Sequence, residues 1–202
     1  MESIRSDVIG GFNTFLTEQQ AAGDDATVTL VQFDSQDPQE LLVDAKSIRK
    51  VRPLDSSTFV PRGGTPLLDA TGLLLARAEE RANERKAAGK QREEIIFVTI
   101  TDGEENQSRE FKRQQILERI AHLEKKGWTF VFLSAAPNAY AEANGLGYDS
   151  RSVQAFAPSP AGSTAAFASL SRAATERRAV IRSGESYEVA DFFDGVKEAE
   201  EE

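Results

Sequence analysis

The sequence has no cysteine, which excludes disulfides, thiolate chemistry and zinc–sulfur sites. It has a single histidine, His122, on a predicted helix at the edge of its apolar stripe, and that position reads as a surface imidazole. No G-x-S-x-G elbow occurs, so serine nucleophile chemistry has no visible machinery. No G-x-x-x-x-G-K-[ST] phosphate loop occurs, and Gly145-Leu-Gly147 is too short for a dinucleotide fingerprint. Basic charge is in deficit: 24 Lys and Arg face 33 Asp and Glu, for a net charge of −9. That balance argues against a nucleic-acid groove or an anionic membrane surface as the main partner. No apolar run approaches the ~20 residues of a membrane span. The opening MESIRSDVIGG carries no signal-peptide pattern, so the expected location is the cytoplasm.

What is present is the composition of a globular chain: 202 residues, 40% hydrophobic and 28% charged, enough for one domain with a sizeable core. Ile4, Val8, Phe12, Phe15 and Leu16 recur at helical spacing, predicting a helix over residues 1–20. Gly10 and Gly11 inside it each cost about 1 kcal/mol of helix propensity, so close packing on a sheet is expected in return. Residues 27–33, TVTLVQF, and residues 40–45 read as a strand and an antiparallel edge neighbour, because only a tight turn separates them. A helix starts at Thr65–Pro66 and ends near Gly89. Residues 95–100 form a strand, 108–126 a helix closed by Gly127, and 128–133 (WTFVFL) a second strand buried on both faces. A short helix at 139–144, a weak strand at 152–156 and an alanine-rich helix at 161–182 follow. Trp128, Phe130 and Phe132 share one strand face and read as core. Helices and strands alternate, which is the pattern of a doubly wound α/β fold. The domain is expected over residues 1–182, with 183–202 as an acidic, disordered tail.

The organising stretch is IIFVTITDGEEN, residues 95–106. An almost wholly apolar strand runs straight into Asp102 and Gly103, then Glu104 and Glu105. In open α/β sheets the ligand crevice lies beyond the carboxyl ends of the strands, and a carboxylate there is a hard oxygen ligand suited to Mg²⁺. The second stretch is GGTPLLDATG, residues 63–72. Thr65 has two readings: an N-cap hydroxyl for the helix that follows, or a hydroxyl ligand to a metal, with Gly63 and Gly64 allowing close backbone approach. Glu104 and Glu105 read first as solvated loop charges.

These two stretches together resemble the von Willebrand factor A (VWA) domain, in particular its compact bacterial and phage members, over residues 1–157. The resemblance implies a Rossmann-like, mostly parallel sheet with an antiparallel edge strand. It also implies a metal-dependent protein-interaction module rather than an enzyme. In that family three loops build the metal site: Asp-x-Ser-x-Ser, a Thr and an Asp. Thr65 matches the second loop and Asp102 the third. Gly63, Gly64, Gly103, Glu104 and Glu105 would then face a partner protein that offers an acidic ligand group. The Asp-x-Ser-x-Ser loop is absent; Asp55-Ser56-Ser57 has the wrong spacing and lies in the wrong loop. The first, central strand of the family's sheet is therefore expected to be missing, with its coding sequence upstream of Met1. Losing about five buried apolar side chains at roughly 2 kcal/mol each would cost on the order of 10 kcal/mol, comparable with the stability of a whole domain. Mg²⁺ is expected in the complete domain and weakly or not at all in this chain. A structural domain with a vestigial site and, less favoured, a Mg²⁺-dependent hydrolase are the alternatives. The partner's identity and the oligomeric state are not legible.

Overall fold

A computed structural model of the protein describes residues 4–187 and 192–193. Among these the chain is mixed α/β: α1 (Arg5–Ala21), β1 (Thr27–Gln32), β2 (Glu40–Ser47), α2 (Leu67–Ala87), β3 (Ile96–Thr101), α3 (Arg113–Glu124), β4 (Thr129–Ser134), α4 (Ala139–Leu146), β5 (Val153–Ala155) and α5 (Pro160–Ser183). The strands form two sheets, not one. β3, β4 and β5 are parallel in that order, and β1 pairs antiparallel with β2. The β1–β2 register shifts on either side of Leu30, and Ala45 opposite this irregularity has φ 41°.

β4 shows why the parallel sheet lies inside. Each of its six residues is buried, because helices cover both faces and strands flank both edges. Its side chains alternate between two cores. Val131 and Leu133 pack with Ile4 at the N-cap of α1, with Val8, Phe12 and Leu16 of α1, and with Phe167 and Leu170 of α5. Phe130 and Phe132 pack with Leu67 and Leu75 of α2, Ile116 and Ile120 of α3, and Leu146 of α4. The Tyr148 ring meets Phe132 edge-on at 5.1 Å, and its hydroxyl lies 2.8 Å from Thr99 Oγ1.

Three local expectations are corrected. Gly11 does not pack on a sheet; it packs on α5, where a Cβ would sit 2.2 Å from the Phe167 ring, and Gly10 meets nothing within 4 Å. Thr65 does not cap α2, whose N-cap position is Pro66 and has no side-chain cap of its own. The helix after β3 begins at Arg113 rather than at residue 108. Residues 105–111 are instead a loop bound to α2, because their amide groups find acceptors on Asp69 and Glu105.

The stretch expected as a disordered tail, 183–202, falls largely outside the described residues. Of its described members, Phe192 and Phe193 lie in the α1–α5 core. Tyr187 is stacked under the Arg177 guanidinium at 4.1 Å. Among the described residues no helix is long and apolar enough to cross a membrane.

Candidate functional site

The carboxyl ends of β1 and β3 and the start of α2 converge on one rim. β3 ends at Thr101, which is 3% exposed. Its hydroxyl donates to the Gly103 carbonyl at 2.9 Å and accepts from the Gly103 N–H at 3.2 Å. This small ring turns the chain sharply and sets Asp102 at the rim, half-buried. Gly103 comes next to Thr65: a Cβ at Gly103 would lie 2.8 Å from Thr65 Oγ1. The two loops are also stitched by a reciprocal pair of bonds. The Thr65 N–H donates to Asn106 Oδ1 at 2.9 Å, and the Asn106 N–H donates to the Thr65 carbonyl at 3.1 Å. The two sequence motifs, whose bonded residues Thr65 and Asn106 are 41 positions apart along the chain, thus meet in one place.

The remaining predicted residues divide by role. Gly63 and Gly64 are exposed. Gly63 accepts from the Ser35 N–H at 3.1 Å and the Ser35 hydroxyl at 2.6 Å. Gly64 has φ 86°, and a side chain there would meet Ser35 Cβ at 2.7 Å, so the position requires glycine on both counts. Glu104 is exposed. Glu105 points inward. Oε1 accepts from the Gln107 and Ser108 N–H groups at 2.9 and 2.8 Å, and Oε2 from the Ser108 hydroxyl at 2.6 Å and the Leu68 N–H at 2.9 Å. Ser108 Oγ also accepts from the Leu68 and Asp69 N–H groups at 3.0 and 3.1 Å. Together Glu105 and Ser108 satisfy two of the orphan donors at the N-terminus of α2, the Leu68 and Asp69 N–H groups, the role expected of Thr65. A negative charge is favoured there by the helix dipole.

Sequence reasoning missed three residues that hold this rim. Asp69 is 5% exposed and accepts from three successive backbone N–H groups: Arg109 at 2.7 Å, Glu110 at 2.9 Å and Phe111 at 2.8 Å. Its signal was a carboxylate inside an apolar run, Leu67-Leu68-Asp69-Ala70. Asp34 is 2% exposed. Burial alone would raise its carboxyl pKa. Hydrogen bonds from the Arg62 guanidinium and from the Gln36 and Asp37 N–H groups outweigh that and hold it below the usual carboxylate range. Arg62 also pairs with Glu40, tying the loop before α2 to the β1–β2 hairpin. Ser35 completes the set.

As a cation site, the rim offers the right oxygen types but few of them. Thr65 and Asp102 would supply a hydroxyl and a carboxylate, at most two of the six positions Mg²⁺ wants. Asp69 and Glu105 are already occupied by backbone and hydroxyl donors. Among the described residues no three His, Cys, Asp or Glu side chains converge as a metal-holding group. The residues present therefore fit part of a Mg²⁺ shell, not a whole one. Comparison of the chain with protein-family models, with curated proteins and with solved structures finds no match.

Proposed function

We propose that the chain is a non-enzymatic, VWA-type protein-interaction module with a Rossmann-like sheet, and that the rim around Thr65 and Asp102 is its contact face. The observation that carries this reading is the meeting of Thr65 with the Thr101–Gly103 turn at the carboxyl end of a parallel sheet. Thr65 and Asp102 would be among the ligands of a Mg²⁺ ion, and a cation with incomplete charge compensation attracts a partner's carboxylate. The residues of this chain shape and stiffen the face. Thr101 fixes the turn, Asn106 locks it to Thr65, and Gly63, Gly64 and Gly103 keep the rim low enough for a partner to approach.

A second reading has its own support. Glu105 and Asp69 spend their carboxylates on holding loops, which suits a structural domain whose site is vestigial.

Titrating Mg²⁺ into the isotope-labelled chain separates the two. The interaction reading expects weak, saturable shifts of the Gly64, Thr65 and Gly103 amide signals that vanish in Asp102→Ala, with all other signals unmoved. A rim that ignores Mg²⁺ up to the solubility limit of the experiment leaves the structural reading standing.

A further inference from the structure

The loops that enter the parallel sheet run against the chain's net charge of −9. Lys86 stands in the last turn of α2, Lys90 and Arg92 in the loop to β3, and Lys125 and Lys126 between α3 and β4; all five are exposed. The two loops touch. Arg92 Nη2 donates to the Lys126 carbonyl at 2.5 Å, and the Lys90 N–H donates to the Arg85 carbonyl at 2.9 Å, which holds Lys90 beside the end of α2. Helix dipoles account for part of this charge. A cation complements the C-terminus of a helix around its last turn, which covers Lys86, Lys125 and Lys126, whereas Lys90 and Arg92 lie beyond the end of α2. Nor do nearby carboxylates neutralise it. Glu93 pairs with Arg81 and Arg85, and Glu79 with Arg119, Lys126 Nζ lying 3.9 Å away. Glu84 and Glu94 are exposed at the margin, and Arg92 reaches Glu94 at 3.5 Å. Glu124 is half-buried, and burial pushes its carboxyl pKa up. Among the described residues Lys86, Lys90 and Lys125 have no ion-pair partner.

The chain after α5 leads to this place. The Tyr187 ring lies 4.1 Å from the Arg177 guanidinium carbon, and its hydroxyl donates to Glu94 Oε2 at 3.0 Å, the carboxylate that Arg92 also meets. The Phe192 ring lies 5.9 Å from the same guanidinium carbon, and Phe193 is 1% exposed. Arg177, Tyr187 and Glu94 thus connect Phe192 to the edge of the patch. Directly after Phe193 come residues 194–202, DGVKEAEEE, with five carboxylate side chains and one lysine. Nine residues extend to about 30 Å at most, enough to cross a patch formed by two adjoining loops. The cations in the last turns of α5 are already paired, Arg178 and Arg182 both with Asp25.

We propose that the cationic patch of Lys86, Lys90, Arg92, Lys125 and Lys126 is an interaction surface for an acidic peptide segment, and that its occupant is the chain's own residues 194–202. Seated there, the segment neutralises the patch and keeps external polyanions away from it, an autoinhibitory contact made by charge. The patch lies at the amino ends of β3 and β4, and Thr65 and Asp102 lie at the carboxyl end of β3. The contact therefore needs no metal and does not depend on the rim as an interaction face.

Because the chain has no cysteine, Ala199→Cys gives it a single site for a paramagnetic label. In low salt the label should broaden the amide signals of Lys90, Arg92, Lys125 and Lys126 and leave those of the Thr65–Asp102 rim sharp. Raising the salt to about 0.5 M should cut the effect severalfold, since screening shortens the reach of exposed charges. Lys90→Glu combined with Lys125→Glu should remove it; both side chains are exposed and unpaired, so the fold is expected to tolerate the change. Shielding is read with heparin as the probe. Changing Glu198, Glu200, Glu201 and Glu202 to Gln should tighten heparin binding by about tenfold, and adding the two lysine reversals should cancel the gain, which separates the patch from the change in net charge. Three results would overturn the proposal. The first is a label that leaves the patch signals sharp or broadens them equally in the lysine-reversed chain. The second is broadening that appears only when labelled chain is mixed with unlabelled, isotope-enriched chain, which would make a second copy the occupant. The third is heparin binding that the four glutamine changes leave unmoved.

Discussion

The Asp69 carboxylate in the first turn of α2 accepts a hydrogen bond from the Phe111 backbone N–H, 2.8 Å away and 42 residues further along the chain. The Phe111 ring lies over Gly72 of the same helix, where a Cβ would stand 2.6 Å from the ring. The loop that follows β3 is therefore clamped to α2 by a carboxylate at one point and by an aromatic ring on a bare backbone at another. Asp102 belongs to this loop, so the clamp also sets how rigidly the rim is held.

Replacing Asp69 by Ala should accordingly act at a distance. Three backbone N–H groups lose a buried, charged acceptor, and hydrogen bonds to charged groups contribute about 1.5–3 kcal/mol each, net of their exchange with water. Solvent reaches the loop, so the expected loss of stability is about 2–4 kcal/mol in all, read by urea denaturation. Asp69→Asn keeps one oxygen and should lose about half as much. Amide exchange of residues 105–111 should quicken in both variants more than that of β4. Equal quickening everywhere would mean that Asp69 supports the core and not the loop.

How much of this was legible in the sequence depends on how far each signal reaches. The six-residue run that became β4 was plain, because a strand buried on both faces must be apolar throughout; the run that became β3 reads the same way, but the face carrying Ile96, Val98 and Ile100 is only half-buried. The β1–β2 hairpin was plain from the short turn between its strands. The meeting of Thr65 with the 102–106 loop followed from a family resemblance rather than from local chemistry. Ser108 was misread as the opening of a helix, since a serine ahead of an apolar periodic stretch looks like an N-cap. It does serve a helix terminus, but that of α2, forty residues earlier. Nothing local in the sequence distinguishes the two. The same holds for Phe192 and Phe193, two buried aromatics set in an acidic stretch whose average composition hides them.

Asp34 gives the fold a defined acid sensitivity. Its folded pKa lies below the ordinary value of 3.8, so the folded state binds this proton less readily than the unfolded chain does. The stability it contributes is fully present above the ordinary carboxylate range and is lost as pH falls through the folded pKa. Between neutral pH and about pH 5 Asp34 should contribute no slope; below about pH 4 stability should fall, and Asp34→Asn should flatten that part of the curve. Urea midpoints measured at half-unit pH steps for the two proteins provide the check. Parallel curves below pH 4 would show that Arg62 does not hold the carboxylate charged in the fold.

Gly10 and Gly11 of α1 offer the sharpest contrast, because the same substitution at adjacent positions should have opposite signs. Gly10 is exposed and a Cβ there meets nothing within 4 Å. Alanine at this position gains helix propensity and restricts the unfolded chain, so Gly10→Ala should stabilise by about 0.5–1 kcal/mol. At Gly11 a Cβ would stand 2.2, 2.7 and 2.9 Å from three carbons of the Phe167 ring. That ring is 4% exposed and belongs to the core shared by α1 and α5, so it cannot swing into solvent without opening the interface. The same propensity gain is then outweighed by overpacking, which typically costs about 1–3 kcal/mol, and Gly11→Ala should be destabilising on balance. Combining Gly11→Ala with Phe167→Leu should recover part of the loss, since the shorter side chain vacates the position of the ring edge. The single substitutions, the double and Phe167→Leu alone form a cycle whose coupling reads the contact directly. A coupling near zero, or a Gly11→Ala protein as stable as Gly10→Ala, would mean that α1 and α5 do not approach each other through this glycine.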